Sequence, residues 1–200
     1  MIYDLTRPLK NGMEYFPGDP APSFTTHFHD PYRFTEIKMG SHTGTHIDAP
    51  AHYLARGTTI EDLSLETLIG TCFILGLENG PIYETQLHPY ENEIISSSRL
   101  LIRAGEHAGL MPCAAMWLAS RCKCLGIDSL SISCQGYDTE VHTRLMQAGV
   151  LILEGLLFRI PLHGRYILIA LPLLLSGGDG APARVIVCSD LTSVHPGAIS

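Results

Sequence analysis

Short apolar runs separated by turn residues recur along the chain, and their lengths predict strands more often than helices. Alternating apolar and polar positions predict two strands within residues 25–39, on either side of Asp30-Pro31. Continuous apolar runs predict buried strands at residues 71–77, 99–103, 124–127, 150–153, 166–173 and 183–188. Clusters of Gly and Pro predict loops at residues 14–20, 40–52 and 176–182.

Helical spacing is confined to short segments at residues 60–69, 112–121 and 138–148. The second segment is expected to turn Met116 and Trp117 inward, and Asp138 is a candidate N-cap for the third. Strands and helices alternate only in the C-terminal half of the chain. The pattern therefore predicts a single α/β domain over residues 1–200, with a mixed β-sheet core, flanking helices and hairpins in the N-terminal half.

The composition is poor in charge, with 16% Asp, Glu, Lys and Arg against 46% hydrophobic residues. Because an average domain has about 25% charged residues, we expect part of the surface to be buried in a homo-oligomer, a dimer or a tetramer. The formal net charge of −7, with no run of basic residues, argues against nucleic acid and anionic membranes as partners.

The N-terminus and the cysteines indicate a cytoplasmic protein. Asp4 lies where a secretory signal would need its apolar stretch. The longest apolar stretch, residues 166–175, contains Pro172 and is about half of the roughly 20 residues needed to cross a bilayer. The six cysteines are therefore expected to be free thiols. A zinc site at Cys122-Lys123-Cys124 is the less favoured alternative, because no paired Cys-x-x-Cys motif is present.

The densest group of chemically active residues lies in residues 41–52, which contain His42, His46, Asp48 and His52. His46 and Asp48 are two positions apart, so an extended backbone points both to one face, and a glycine at position 44 lets His42 return to it. Imidazoles with a carboxylate suit Zn²⁺ or Mn²⁺. The alternatives are a polar loop with solvated histidines and a structural zinc site, which would favour cysteine ligands.

The same segment resembles a known family signature. Gly44-Thr45-His46-Ile47-Asp48-Ala49-Pro50-Ala51-His52, preceded by His42, is similar to the His-x-Gly-Thr-His-x-Asp-x-Pro-x-His motif of the metal-dependent cyclase-like hydrolases. That family includes bacterial kynurenine formamidases (arylformamidases) and isatin hydrolases. Residues 16–20, 126–129, 169–173, 178–180 and 182–184 resemble further segments of the family. The resemblance implies a swivelling β/β/α-like fold.

The resemblance also implies roles for individual residues. It assigns metal ligation to His42, His46, Asp48, His142 and Glu154. It further makes His52 the residue that acts on protons. Five ligands with two carboxylates favour two Zn²⁺ ions per chain, with Mn²⁺ as the other candidate. Without the resemblance, His142 would be interpreted as an ordinary helix residue, and Glu154 would be interpreted as a charged residue at the end of a strand.

The implied reaction is hydrolysis of a C–N amide bond in a small molecule. Water activated by the metal centre would attack the carbonyl, and His52 would protonate the departing nitrogen. N-formylkynurenine, an intermediate of tryptophan catabolism, would yield kynurenine and formate. The alternatives are an isatin-type cyclic-amide hydrolase, a secondary-metabolite cyclase and a metal- or ligand-binding protein without turnover.

Substrate contacts are less closely specified. Phe16 stands where the kynurenine-specific relatives carry Trp, and it is the candidate for stacking on an aryl substrate. The alternative is that Phe16 is a plain core or interface residue. His27 and His29 share one face of a predicted strand, which is typical of a surface strand. An approach of this pair to the substrate pocket is the alternative.

Overall fold

The fold is organised around a curved mixed β-sheet, described for residues 1–189 in a computed structural model. The strands are β1 (Ile2–Asp4), β2 (Ser23–His29), β3 (Tyr32–Lys38), β4 (His46–Asp48), β5 (Ile69–Gly76), β6 (Pro81–Ile82), β7 (Arg99–Arg103), β8 (Gly109–Leu110), β9 (Cys124–Ile127), β10 (Leu151–Glu154), β11 (Gly164–Pro172) and β12 (Gly180–Cys188). The helices are α1 (Leu65–Leu68), α2 (Glu84–Leu87), α3 (Glu91–Ser97), α4 (Pro112–Leu118) and α5 (Asp138–Gln147).

Eight strands form the main sheet in the order β1-β12-β11-β5-β7-β9-β10-β4, and β4 also pairs with β12. This second pairing closes the sheet into a barrel-like form. The neighbours among β5, β7, β9 and β10 are parallel, whereas β1, β4, β11 and β12 pair antiparallel with their neighbours. The prediction of an α/β fold with a mixed sheet is confirmed.

The two faces of the sheet contribute to different hydrophobic clusters. On β7, Leu100 and Ile102 pack in a cluster that also contains side chains of α2, α3, α4 and α5. Leu101 belongs to the second cluster, which lies inside the curved sheet with Ile47 of β4 and Val185 of β12. This division follows from the period of two along a strand, which sends successive side chains to opposite faces.

The strand predictions are largely confirmed, and those at Arg99–Arg103 and Cys124–Ile127 agree to the residue. The prediction for Met116 is wrong because its side chain is 58% exposed. The face of helix α4 that is buried instead carries the small residues Ala114 and Ala115 together with Leu118. The loop predicted at residues 176–182 extends too far toward the C-terminus, because β12 already begins at Gly180.

Helix α5 starts one residue earlier than predicted. Tyr137 occupies the N-cap position, and Asp138 is the first helical residue. The Asp138 side chain accepts hydrogen bonds from Ser131 and Ser133 instead of capping the helix. The short elements β1, α2 and α3 were not predicted, because runs this brief carry little periodicity.

Three further expectations concern the chain as a whole. That residues 1–200 form one domain stays a prediction, since the description covers residues 1–189. Within that range no helix is both long enough and apolar enough to cross a membrane. All six cysteines are free thiols, and both Cys122 and Cys124 are buried in the packed interior.

Candidate metal centre

The central part of the histidine-rich segment is a buried strand. The sequence predicts a loop over residues 40–52, but His46–Asp48 forms β4, which pairs with β10 on one side and β12 on the other. The prediction was wrong at these three residues because the ladders on both sides satisfy their backbone groups despite the nearby Gly and Pro. His46 and Asp48 are only 3% and 1% exposed.

Two imidazoles and two carboxylates meet at the end of β10. The Nε2 atom of His46 lies 3.2 Å from Asp48 Oδ1 and 3.3 Å from Glu154 Oε2. The Nε2 atom of His142, on α5, lies 3.1 Å from Glu154 Oε1 and 3.7 Å from Asp48 Oδ2. The structure thus brings four of the five predicted ligands together from three elements that are far apart in the sequence.

The other ring nitrogen of each imidazole is held by a backbone carbonyl. Nδ1 of His46 donates to the carbonyl of Gly44 at 3.0 Å, and Nδ1 of His142 donates to that of Asp138 at 2.7 Å. Each bond fixes the tautomer in which Nε2 carries a lone pair, the form that binds a metal ion. Both lone pairs then face carboxylate oxygens, an arrangement that requires a proton or a cation between them.

Two atoms of this cluster are buried without a hydrogen-bond partner, namely Nε2 of His46 and Oδ2 of Asp48. Buried polar atoms are normally satisfied, so orphaned atoms on facing ligands indicate a missing partner. The donor set of imidazoles and carboxylates is one that divalent Zn²⁺ and Mn²⁺ accept. These residues therefore fit a metal cofactor.

His42 and His52 extend the cluster toward solvent. Nδ1 of His42 lies 2.8 Å from Asp48 Oδ1, and the ring centroids of His42 and His52 are 4.0 Å apart. Potential ligand atoms of His42, Asp48 and His52 lie within 4.8 Å of one another, as do those of His46, Asp48 and Glu154. Asp48 is common to both groups.

The electrostatics of the cluster follow from burial of opposite charges. Burial alone would lower the pKa of His46, but the adjacent carboxylates of Asp48 and Glu154 outweigh it and raise this pKa to about 10. Burial would also lower the pKa of His142, but its interaction with Glu154 outweighs burial and raises this pKa to about 9. Burial raises the pKa of Asp48, but its imidazole neighbours outweigh this effect and hold it well below the usual range. The two buried carboxylates thus favour positive charge beside them.

His52 behaves differently from the two deepest imidazoles. Burial and the neighbouring charge of His42 lower the pKa of His52 below its ordinary value. Its side chain remains 30% exposed and lines the cavity above the cluster. A partly exposed imidazole that is neutral near pH 7 can accept a proton and return it.

The cavity above the cluster has a volume of about 170 Å³. It is lined by the predicted ligands His42, His46, His142 and Glu154, by His52 and by Phe16. Phe16 is 40% exposed, and it also lines a neighbouring cavity of about 490 Å³. The residue predicted to stack on the substrate therefore lies at the entrance to the cluster.

Comparison with known proteins identifies the family. The Cyclase family model matches residues 3–133, which include the whole histidine-rich segment. The chain belongs to the cyclase family. It is also 32% identical to a kynurenine formamidase of Polaromonas naphthalenivorans (strain CJ2) over 203 residues, 93% of this chain and 90% of the relative.

Solved structures of the cyclase family share the fold. One, described as a potential metal-dependent hydrolase with cyclase activity, superposes with a TM-score of 0.82 at 32% identity, covering 95% of this chain and 98% of the other. Isatin hydrolase A from Labrenzia aggregata superposes with a TM-score of 0.80 at 20% identity, covering 95% of this chain and 94% of the other. The second likeness concerns the fold alone.

Asp179 is a site residue of this cyclase-family chain that the sequence did not identify. Its position in a glycine-rich loop is typical of a turn residue, yet Oδ2 lies 3.1 Å from Nε2 of His42 and 3.3 Å from Nδ1 of His52. Its Oδ1 atom accepts a hydrogen bond from Ser41. The segment Gly178-Asp179-Gly180, which resembles the family, was the one available signal.

Tyr53 and the backbone of Ile132 are two further contributors that no motif indicated. The Tyr53 ring stacks on His142 with centroids 4.7 Å apart, and the amide of Ile132 donates to Glu154 Oε1 at 2.6 Å. The interactions restrain one imidazole and one carboxylate of the cluster. By contrast, His27 and His29 line none of the cavities around the cluster in the described part of the chain.

Proposed function

We propose that this protein is a metal-dependent amidohydrolase of the arylformamidase type, which converts N-formylkynurenine and water to kynurenine and formate. The observation that carries the proposal is the convergence of the His46 and His142 Nε2 atoms on the buried carboxylates of Asp48 and Glu154. The identity of 32% to a kynurenine formamidase over 93% of the chain supports the substrate class.

The proposed ligands are His42, His46, Asp48, His142 and Glu154. Two Zn²⁺ ions per chain are the expected content, because five ligands with two carboxylates exceed what one Zn²⁺ ion needs. Mn²⁺ is the second candidate. When bound, such ions polarise an amide carbonyl and lower the pKa of a water molecule.

His52 is proposed to carry the proton that the reaction transfers. Water supplies the oxygen that enters formate, the bond between the formyl carbon and the aryl nitrogen breaks, and that nitrogen leaves as an amine. Asp179 accepts from Nδ1 of His52, which leaves Nε2 to give a proton to the nitrogen. The contact of Asp179 with Nε2 of His42 likewise leaves Nδ1 of that ring for a metal ion.

Measurement of metal content and turnover on the same samples tests the proposal. Elemental analysis of the purified protein should find about two divalent ions per chain. Chelation should abolish hydrolysis of N-formylkynurenine, and Zn²⁺ or Mn²⁺ should restore it. Metal-loaded protein that opens isatin but leaves N-formylkynurenine intact would replace this function by the cyclic-amide alternative. Metal-loaded protein that hydrolyses neither compound would contradict the proposal.

His52→Ala separates a proton carrier from a ligand. We expect this variant to keep its metal and lose roughly 10²- to 10⁴-fold in kcat, the range typical of general acid–base catalysis. If the variant loses both its metal and its activity, His52 is instead a metal ligand. Normal hydrolysis by the variant would remove the residue from the mechanism.

A cytoplasmic homodimer is the proposed state of the protein. The hairpin β2–β3 pairs with no other strand of residues 1–189, and it exposes Phe28 at 75% and Tyr32 at 62%. Isolated hairpins are marginally stable in water, which favours burial of this face against a second copy. The free cysteines fit a reducing compartment.

Light scattering on a Phe28→Ser/Tyr32→Ser variant tests the dimer. We expect the variant to be monomeric under conditions in which the parent protein is dimeric. Tyr83→Ser, at another exposed aromatic residue, is the control and should leave the mass unchanged. A parent protein that is itself monomeric at micromolar concentration would contradict the proposal.

A further inference from the structure

Tyr53 is held at the metal cavity by a tight turn of the backbone. It follows the 3₁₀ turn Pro50–His52, and its amide donates to the carbonyl of Pro50. A Cβ at Gly57 would lie 2.3 Å from the carbonyl carbon of Pro50, so the two arms of the turn approach more closely than any residue but glycine allows. The turn therefore fixes the position from which Tyr53 reaches the cavity that it lines.

The ring of Tyr53 contacts two imidazoles of the site at once. It stacks on His142 with the ring centroids 4.7 Å apart and an angle of 17° between the planes. It contacts His52 at a centroid distance of 4.7 Å with the planes at 90°. The two imidazoles are 6.3 Å apart, so each is closer to the tyrosine ring than to the other. One ring thus touches both a proposed metal ligand and the proposed proton carrier.

The polar contacts of His142 hold the edge of its ring and leave its faces free. Nδ1 donates to the carbonyl of Asp138 at 2.7 Å, and Nε2 lies 3.1 Å from Glu154 Oε1. Tilting of the ring plane would move the Nε2 lone pair, which is the electron pair that binds a metal ion. A stacked aromatic neighbour restricts this tilt, because stacking is favourable only over a narrow range of distances and angles.

Hydrogen bonding holds His52 less firmly than it holds His142. Its Nδ1 atom lies 3.3 Å from Asp179 Oδ2, and its side chain is 30% exposed. Its ring also contacts those of His42 and Tyr53, at centroid distances of 4.0 and 4.7 Å. Ring contacts therefore contribute to the orientation of the proton carrier.

These contacts are made by the ring of Tyr53 and not by its hydroxyl group. The hydroxyl forms no hydrogen bond with residues 1–189. The side chain also packs against the hydrophobic cluster on the helix-covered face of the sheet. Phenylalanine would preserve the ring contacts, whereas leucine would fill much of the space without a flat face.

We propose that Tyr53 is a positioning residue of the metal centre, whose ring orients His142 for metal binding and His52 for proton transfer. The inference rests on the proposed function, because both imidazoles take their roles from it. Loss of the flat ring should weaken metal binding and slow the reaction. Loss of the hydroxyl alone should change neither.

Two substitutions at position 53 separate the ring from the hydroxyl. Tyr53→Leu should weaken Zn²⁺ binding by about 10- to 100-fold, the range typical of residues that orient metal ligands. Its kcat for N-formylkynurenine, expressed per metal-loaded site, should fall by about 10²-fold, because misplacement by about 1 Å can cost that much. Tyr53→Phe should keep both quantities within about twofold of the parent protein, since the stacking surface remains. Competition with a chelator measures the affinity, and kinetics at saturating Zn²⁺ measures kcat.

Tyr90→Leu is the matched control. Tyr90 is a partly buried tyrosine that packs against the same hydrophobic cluster, and its ring contacts His163 at 6.1 Å. This variant should lose stability in a denaturant titration, as Tyr53→Leu does, but keep the zinc affinity and kcat of the parent protein. Equal losses of zinc affinity and kcat in the two variants would make Tyr53 a packing residue and overturn the inference.

Tyr53→Phe gives a second way to overturn the inference. A loss in this variant as large as that in Tyr53→Leu would assign the effect to the hydroxyl. If Tyr53→Leu does not fold, Tyr53→Met takes its place, because a flexible methionine fills irregular gaps without providing a flat face.

Zinc affinity separates this inference from the proposed function. If the metal-loaded parent protein does not hydrolyse N-formylkynurenine, the proposed function fails, and the part of the inference that concerns His52 falls with it. The part that concerns His142 then stands if Tyr53→Leu weakens zinc binding by about tenfold or more and Tyr53→Phe does not. It falls if the two variants bind zinc alike or if the parent protein binds none.

Discussion

Two regions of the chain carry histidines and carboxylates on β-strands and use them in opposite ways. On the hairpin, His27 lies 3.0 Å from Glu36 and stacks on Phe34, and both polar side chains are open to water. On β4, His46 and Asp48 are buried between two strands. The two-residue period aims side chains to one face in both regions. Burial between neighbouring strands is what turns the second pair into a reactive cluster.

The difference is energetic as well as geometric. An exposed ion pair contributes about 0 to 1 kcal/mol because water competes for both partners. A buried carboxylate without a matching cation is strongly unfavourable, so Asp48 and Glu154 need compensating charge. Substitutions in the two regions should therefore have very different effects.

The largest effect is expected from Asp48→Asn. The change keeps the size of the side chain but removes the charge shared by the two groups of donors, so metal content and activity should fall together, with kcat/KM lower by about 10³-fold or more. Elemental analysis and kinetics on the same sample measure both quantities. Asp30→Asn, at the turn of the hairpin, is the control with the same chemistry. Full metal occupancy in Asp48→Asn would remove this residue from the ligand set.

A methyl group placed behind His42 should have the next largest effect. A Cβ at Gly180 would lie 2.5 Å from Cε1 of His42, so Gly180→Ala forces this ring away from Asp48. We expect a loss of roughly 10²-fold in kcat, because misplacement by about 1 Å can cost that much. At Gly40 the nearest atom to an added Cβ is 3.7 Å away, which makes Gly40→Ala the matched control. Equal activity of the two variants would show that the position of His42 is not critical.

Removing the charge of Asp179, whose carboxylate contacts two imidazoles, should lower activity somewhat less than Gly180→Ala does. Asp179→Asn keeps the shape of the side chain but weakens its acceptance from His42 and His52. Substitution of a residue that orients a metal ligand typically lowers metal affinity or activity by about 10- to 100-fold. Zinc affinity by competition with a chelator, together with kcat, measures both parts. Unchanged values for both would make Asp179 a turn residue, as its sequence context suggests.

The sequence could predict strands and the histidine segment, but it could not predict where distant residues meet. Leu100, Leu101 and Ile102 form an apolar run whose length alone indicates a strand, whereas His142 and Glu154 were assigned by resemblance to a family. Their contact depends on the packing of α5 beside β10, which is a tertiary property. Asp179 was missed for the same reason, because no local pattern distinguishes a carboxylate in a turn from one that reaches two imidazoles.

The smallest effect is expected on the hairpin, from Glu36→Gln. His27 and Glu36 are 38% and 65% exposed, so solvent screens their attraction and the free energy of unfolding should change by less than about 1 kcal/mol. Metal content should be unchanged and kcat/KM should stay within about twofold, since neither residue lines the metal cavity. Denaturant titration and steady-state kinetics measure these quantities. A tenfold loss of activity would instead connect the hairpin to the site, and mixing experiments with the metal-free Asp48→Asn protein would then test whether the hairpin of one copy serves the metal centre of another.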